Sequence, residues 1–172
     1  SIDCALDAVG NTNGNVWVAD IDKSATAVGL LKRQIVQDLA WEDAKEFVDM
    51  LYSNMFYVAD SEGAPVYLVK DNGRIDAFTK NYHEISLKLP DWAQQSLNSI
   101  MPSAASRDNG YTENLTYIFD EEQFNKTKSA LKEDRLNILY GDAVRFLEIS
   151  PDGYYNVIDL NNIIDYELAD VT

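Results

Sequence analysis

Several things are scarce in this chain of 172 residues, and each scarcity excludes something. There is one cysteine, Cys4, so no internal disulfide can form, and a reducing compartment or indifference to redox state follows. There is one histidine, His83, so a Ser/His/Asp or Cys/His catalyst would have to use it. No nucleophile elbow accompanies it, and it reads as a polar loop histidine. Bases are few, 14 against 29 acids, giving a net charge of −15. A surface this acidic repels phosphate backbones, which argues against direct nucleic-acid binding and for basic partners. No apolar run approaches the ~18 residues of a membrane span, and no basic start leads into an apolar run as in a secretory signal. The expected location is therefore cytoplasmic. Repeats, low-complexity tracts and linkers are also missing, so residues 1–172 read as one domain.

What the chain does have is apolar material. Hydrophobic residues make up 46% and aromatics 11%, with ten Tyr and six Phe, enough to fold without staples. The charge is uneven. Residues 1–22 hold four acids and no base, while 38–62 and 136–172 each hold seven acids and one base. The stretch 63–90 is different, with Lys70, Arg74, Lys80 and Lys88 against three acids, and would draw any anionic ligand.

Patterning gives a series of elements. Val16–Ile21 is a β-rich run after a turn-prone Asn/Gly stretch. Ser24 is a candidate N-cap for a helix with Ala27, Val28, Leu31 and Ile35 on one face, weakened by Gly29. Trp41, Ala44, Phe47, Val48 and Leu51 recur at helical spacing, with Glu42 and Asp43 in the first turn. Met55–Asp60, Pro65–Lys70 and Arg74–Lys80 read as a three-strand meander joined by short Gly-bearing loops. A short helix runs from Pro90-Asp91-Trp92 to about Met101, and Ser103–Asn114 reads as a loop. Tyr117-Ile118-Phe119 reads as a strand, and Asp120 caps a helix with Phe124, Leu131 and Leu139 inward. Ala143–Ser150 and Tyr154–Leu160 read as a closing hairpin, followed by an acidic-apolar tail over 161–172.

The resulting order, β-α-α-β-β-β-α-β-α-β-β, resembles the GNAT superfamily of acetyl-CoA-dependent N-acetyltransferases across nearly the whole chain. The C-terminal third carries most of it: Leu136–Gly141 leading into Val144–Glu148 paired with Tyr154–Val157. The resemblance implies an α+β fold, a mixed and mostly antiparallel sheet of six to seven strands with helices on both faces. It also extends to degenerate acetyltransferase-like accessory proteins of tailed phages, which adds a virion-associated location to the cytoplasmic one. In that family an Arg/Gln-x-x-Gly-x-Gly/Ala turn holds the cofactor pyrophosphate at a helix N-terminus. The matching stretch here is Lys80–Leu89, which has no glycine. The Asn that often follows the fifth strand is absent near Phe119-Asp120, and the position of the general-acid Tyr holds Asn137. The resemblance therefore implies a pseudoenzyme with no cofactor. Were acetyl-CoA bound, Lys80, Asn81, Tyr82, His83 and Lys88 would meet it, with Glu84 and Tyr140 as the catalytic pair.

Other carboxylates were weighed for chemistry. Asp20-Ile21-Asp22 at a strand end invites comparison with the Mg²⁺-binding pairs of phosphotransferases. The helper residues such enzymes need are not recognisable downstream, so a solvated strand end is the expectation and no metal site is assigned. Glu42, Glu46 and Asp49 line one side of a helix, either as a solvated face or as a docking stripe for a basic partner. In the tail, Asp165, Tyr166 and Glu167 sit among Ile163, Ile164 and Leu168, an apolar content that suits contact with another chain.

These readings converge on a non-catalytic acetyltransferase-like binding or assembly module, a phage virion or accessory protein with a protein partner of basic or mixed surface. Two alternatives stand beside it: an N-acetyltransferase acting on a cationic amine, and a small acidic inhibitor or nucleic-acid mimic.

Overall fold

A computed structural model describes residues 2–52, 58–59, 65–66, 72–100 and 115–155. The described elements are α1 (Ile2–Asn11), β1 (Val16–Asp20), α2 (Lys23–Asp38), α3 (Trp41–Tyr52), β2 (Val58–Ala59), β3 (Pro65–Val66), α4 (Asn72–Ser86), α5 (Asp91–Ile100), α6 (Thr116–Phe119), α7 (Glu121–Lys132), β4 (Leu136–Tyr140) and α8 (Ala143–Ile149).

The six- to seven-stranded sheet is therefore not what the chain forms. The described residues are mostly helical, with β1 and β4 as a parallel pair and β2 and β3 as a short antiparallel one. The order expected for a GNAT-like domain falls with that sheet. Its errors have physical causes. Arg74–Lys80 lies inside α4, where Ile75, Phe78, Tyr82 and Ile85 recur at helical spacing and turn onto the core. Tyr117-Ile118-Phe119 is the helical turn α6. Leu136–Tyr140 is not the end of a helix but β4, because Asp134 takes a positive φ of 58° and breaks the chain out of α7. Ala143–Ile149 is α8, begun by the Asp142 side chain accepting from the Val144 N–H at 2.9 Å. Of the first two strands of the expected meander, only Val58–Ala59, pairing with Pro65–Val66, falls on described residues. Residues 60–64, 67–71 and 101–114 and the tail from 156 lie outside them.

Helix α2 is the hub. It packs on α1, α3, α4, α5, α7 and both strands of the parallel pair. Its cap is Asp22 rather than Ser24: the carboxylate accepts from the Ser24 and Ala25 N–H groups at 2.7 and 3.2 Å. Ala27, Leu31 and Ile35 are buried, as are Ala44, Phe47, Val48 and Leu51 of α3. The α4 rings close over α3, with the Phe47 and Phe78 centroids 4.5 Å apart. Helix α1 was not foreseen, although Ile2, Ala5, Leu6 and Val9 make a helical stripe. It lies on α7, where Thr127 donates to the Leu6 carbonyl and Gln123 to that of Asp7.

The β1–β4 pair runs in register from Val16↔Leu136 to Asp20↔Tyr140. Strand alternation sends Val16, Val18, Leu136 and Ile138 to the core. Trp17, Ala19, Asn137 and Leu139 are left on the other face, which α8 and Tyr154 partly cover. Because the strands are parallel, both chains leave the sheet at the same end, one into α2 and the other into α8.

Candidate functional site

Most of the large exposed hydrophobic side chains lie on this strand pair and the segments that follow it. Among the described residues, six large hydrophobic side chains are exposed: Trp17, Ile21, Leu87, Tyr140, Ile149 and Tyr154. All but Leu87 lie on β1, β4, α8 or the turns leaving them. They fall into two contact groups, one around Trp17 and one around Tyr140. Trp17 and Tyr154 meet edge to face at 6.2 Å between centroids, and Tyr154 meets Tyr155 at 4.9 Å. Tyr140 meets Trp92 of α5 at 5.8 Å, and the Lys23 ammonium sits 5.9 Å from the Trp92 centroid.

Local backbone chemistry builds this end. Beyond the last register pair, the Gly141 N–H donates to the Asp20 carbonyl at 2.9 Å, extending the ladder by one bond. Thr26 of α2 donates to the Asp20 and Asp22 carbonyls at 3.3 and 2.9 Å, tying the helix start to the strand end. Gly141 has φ 153°, and a Cβ there would stand 3.1 Å from the Phe146 ring. Glycine is needed at this point for both reasons.

Tyr140, Gly141, Asp142, Arg145, Phe146 and Ile149 line an open cleft of about 310 Å³. Asp142 in its lining is exposed, as are Glu148 on α8 and Asp152 in the turn that follows. The neighbouring carboxylates act on backbone. Asp20 accepts from the Asp22 N–H at 2.8 Å, while Asp22 and Asp142 cap α2 and α8. Among the described residues no group of three or more His, Cys, Asp or Glu side chains is placed to hold a metal.

The other singled-out residues lie apart. Lys80, Asn81, Tyr82, His83 and Glu84 occupy the last turns of α4, not a strand-to-helix loop. Lys80, His83 and Glu84 are exposed there, and Lys88 pairs with Asp38 at 2.9 Å. Tyr82 is half-buried against Phe78, and burial raises its phenol above the ordinary range. Glu84 and Tyr140 share no wall, since α4 packs on α2 and α3 while β4 packs on β1, α1 and α2. On α3, Glu42 is exposed, but Glu46 and Asp49 both receive the Arg74 guanidinium of α4, Asp49 at 3.3 Å. A cavity of about 50 Å³ beneath that cluster is lined by Glu46, Phe47, Arg74 and Phe78. Asp165, Tyr166 and Glu167 lie outside the described residues.

Reading the sequence missed Trp17, Ile21, Arg145, Ile149 and Tyr154 as surface residues of one site. The signal was available in the pair Val16–Asp20 and Leu136–Tyr140, two short alternating runs each ended by an Asp-bearing turn. Compared with known protein families, curated proteins and solved structures, the chain matches none. Among the described residues no helix is long and apolar enough to cross a membrane.

Proposed function

We propose that the chain is a binding module that docks a protein partner of basic or mixed surface on the patch where β1 and β4 end. One observation carries this reading: five of the six exposed large hydrophobic side chains among the described residues lie on this strand pair, on α8 or on the turns leaving them. Scattered exposed hydrophobics need no explanation, whereas apolar side chains concentrated on neighbouring elements mark an interaction surface. Acids on the same segments set the partner's chemistry. Asp22, Asp142, Glu148 and Asp152 are exposed on the turns and helix that carry these side chains and suit lysine or arginine opposite. A second copy fits poorly, since each chain brings a charge of −15.

The α3 carboxylates are the weaker choice of surface. Arg74 already pairs with Glu46 and Asp49, so docking there would have to compete with an ion pair within the chain. The reading keeps a binding and assembly role and leaves aside the acetyltransferase scaffold.

Site-directed photo-crosslinking tests it. A benzophenone side chain at position 149 should give one discrete adduct in extract of the source cells, suppressed by excess wild-type chain and not by a Trp17→Ser/Ile149→Lys variant. The same probe at Lys132, on α7, should give none. Equal adducts from both positions would refute the reading.

A further inference from the structure

Arg145 stands out among the described arginines. Arg33 pairs with Asp134, Arg74 with Glu46 and Asp49, and Arg135 with Glu133. Arg145 makes no ion pair or hydrogen bond with any described residue, although Asp142 lies one helical turn before it in the same cleft. The Asp142 Oδ1 caps the Val144 N–H instead, at 2.9 Å. In a chain with 29 acids, an arginine left without a described carboxylate in a cleft is free to take one from outside.

Resting on the docking reading above, we propose that this cleft anchors the partner by its C-terminus. The guanidinium takes the terminal carboxylate through two parallel N–H donors, and Tyr140, Phe146 and Ile149 enclose the apolar side chain of the last residue. Size supports a single residue. At about 310 Å³ the cleft sits at the lower end of the range for small ligands. A chain end fits better than an Asp or Glu side chain, because at the terminus the carboxylate and an apolar side chain leave the same Cα. One residue then satisfies both the cation and the apolar walls. A phosphate dianion fits worse, with Asp142 beside it and a chain charge of −15 around it. Upstream residues of the partner would run past Asp142, Glu148 and Asp152, which selects for basic side chains there.

The probe is the acetylated tetrapeptide Lys-Gly-Lys-Phe, with a free C-terminus or a C-terminal amide, added to the full ¹⁵N-labelled chain and followed by amide shifts. The free acid should move the amides of residues 140–149, and the amide form should bind about tenfold more weakly. Arg145→Gln should weaken the free acid by a similar factor and leave the amide form unchanged, a coupling that a structural role for Arg145 would not produce. Equal affinity of the two peptides overturns the anchor, as do shifts centred elsewhere or no shifts at 140–149 up to about 5 mM. If crosslinking at position 149 succeeds while the two peptides bind alike, the C-terminal anchor has failed and the docking surface has not.

Discussion

Lys32 places its ammonium on both carboxylate oxygens of Asp3, each at 2.8 Å, and is itself only 4% exposed. The Tyr117 hydroxyl donates to Oδ1 of the same carboxylate at 2.7 Å. A lysine is almost never buried unless it is paired. This contact pins α1 to α2 and α6, so the acidic N-terminal segment is part of the core rather than a solvated lead-in.

Removing one partner of a buried pair leaves the other charge without compensation. Asp3→Ala should therefore cost about 3 kcal/mol in urea unfolding. The double variant Asp3→Ala/Lys32→Met should cost less than the sum of the two single changes. Additive losses would show that the ion pair does not couple the helices.

Gly29 of α2 lies directly against Ile2 of α1. A Cβ there would lie 2.2 Å from Ile2 Cδ1 and 2.8 Å from Cγ2. Helix propensity alone makes Gly29→Ala stabilising by about 1 kcal/mol. Overpacking against Ile2 makes it destabilising by about 1–3 kcal/mol. The account expects destabilisation by thermal unfolding, relieved in Gly29→Ala/Ile2→Ala.

The Tyr82 hydroxyl is buried with no hydrogen-bond partner among the described residues. Tyr82→Phe should be neutral or slightly stabilising, within about 1 kcal/mol, because the lost group was already unsatisfied. Burial raises the phenol above its ordinary value of 10.0. The neutral form is the one the fold holds, so this contribution is complete below that ordinary value and is lost as pH climbs through the raised one. Urea midpoints at about pH 9 and about pH 11 should fall further for the wild type than for Tyr82→Phe. Parallel falls would contradict the assignment.

Gly141→Ala places a side chain at φ 153° and against the Phe146 ring. A cost of about 1–3 kcal/mol is expected, with a shift of the Phe146 ring resonances as the cleft floor moves. An unchanged ring environment would show that the turn does not shape the cleft.

Much of the helical body was legible. The stripe Trp41, Ala44, Phe47, Val48 and Leu51 and the Asp120 cap each gave an element that the chain forms. Most of the failures share one cause, residues rich in Val, Ile, Phe and Tyr read as strands over short windows, while β4 failed the other way and was read as helix. In α4 the helical period of Ile75, Phe78, Tyr82 and Ile85 emerges only over eleven residues. The break at Asp134 was hidden because an aspartate, not a glycine, takes the left-handed conformation. Without it, Leu131 and Leu139 look like one helical face, and the partner of β1 disappears. The site went unseen for the same reason. Phe146 and Ile149 are three apart, on opposite faces of a strand but on one face of α8.

Hydrogen exchange of the chain, free and bound to the crosslinked partner, tests the central claim most directly. The account predicts added protection at residues 17–21 and 139–155 and none along α3 from Glu42 to Asp49. Protection confined to α3, with the ends of β1 and β4 exchanging as fast as in the free chain, would contradict it.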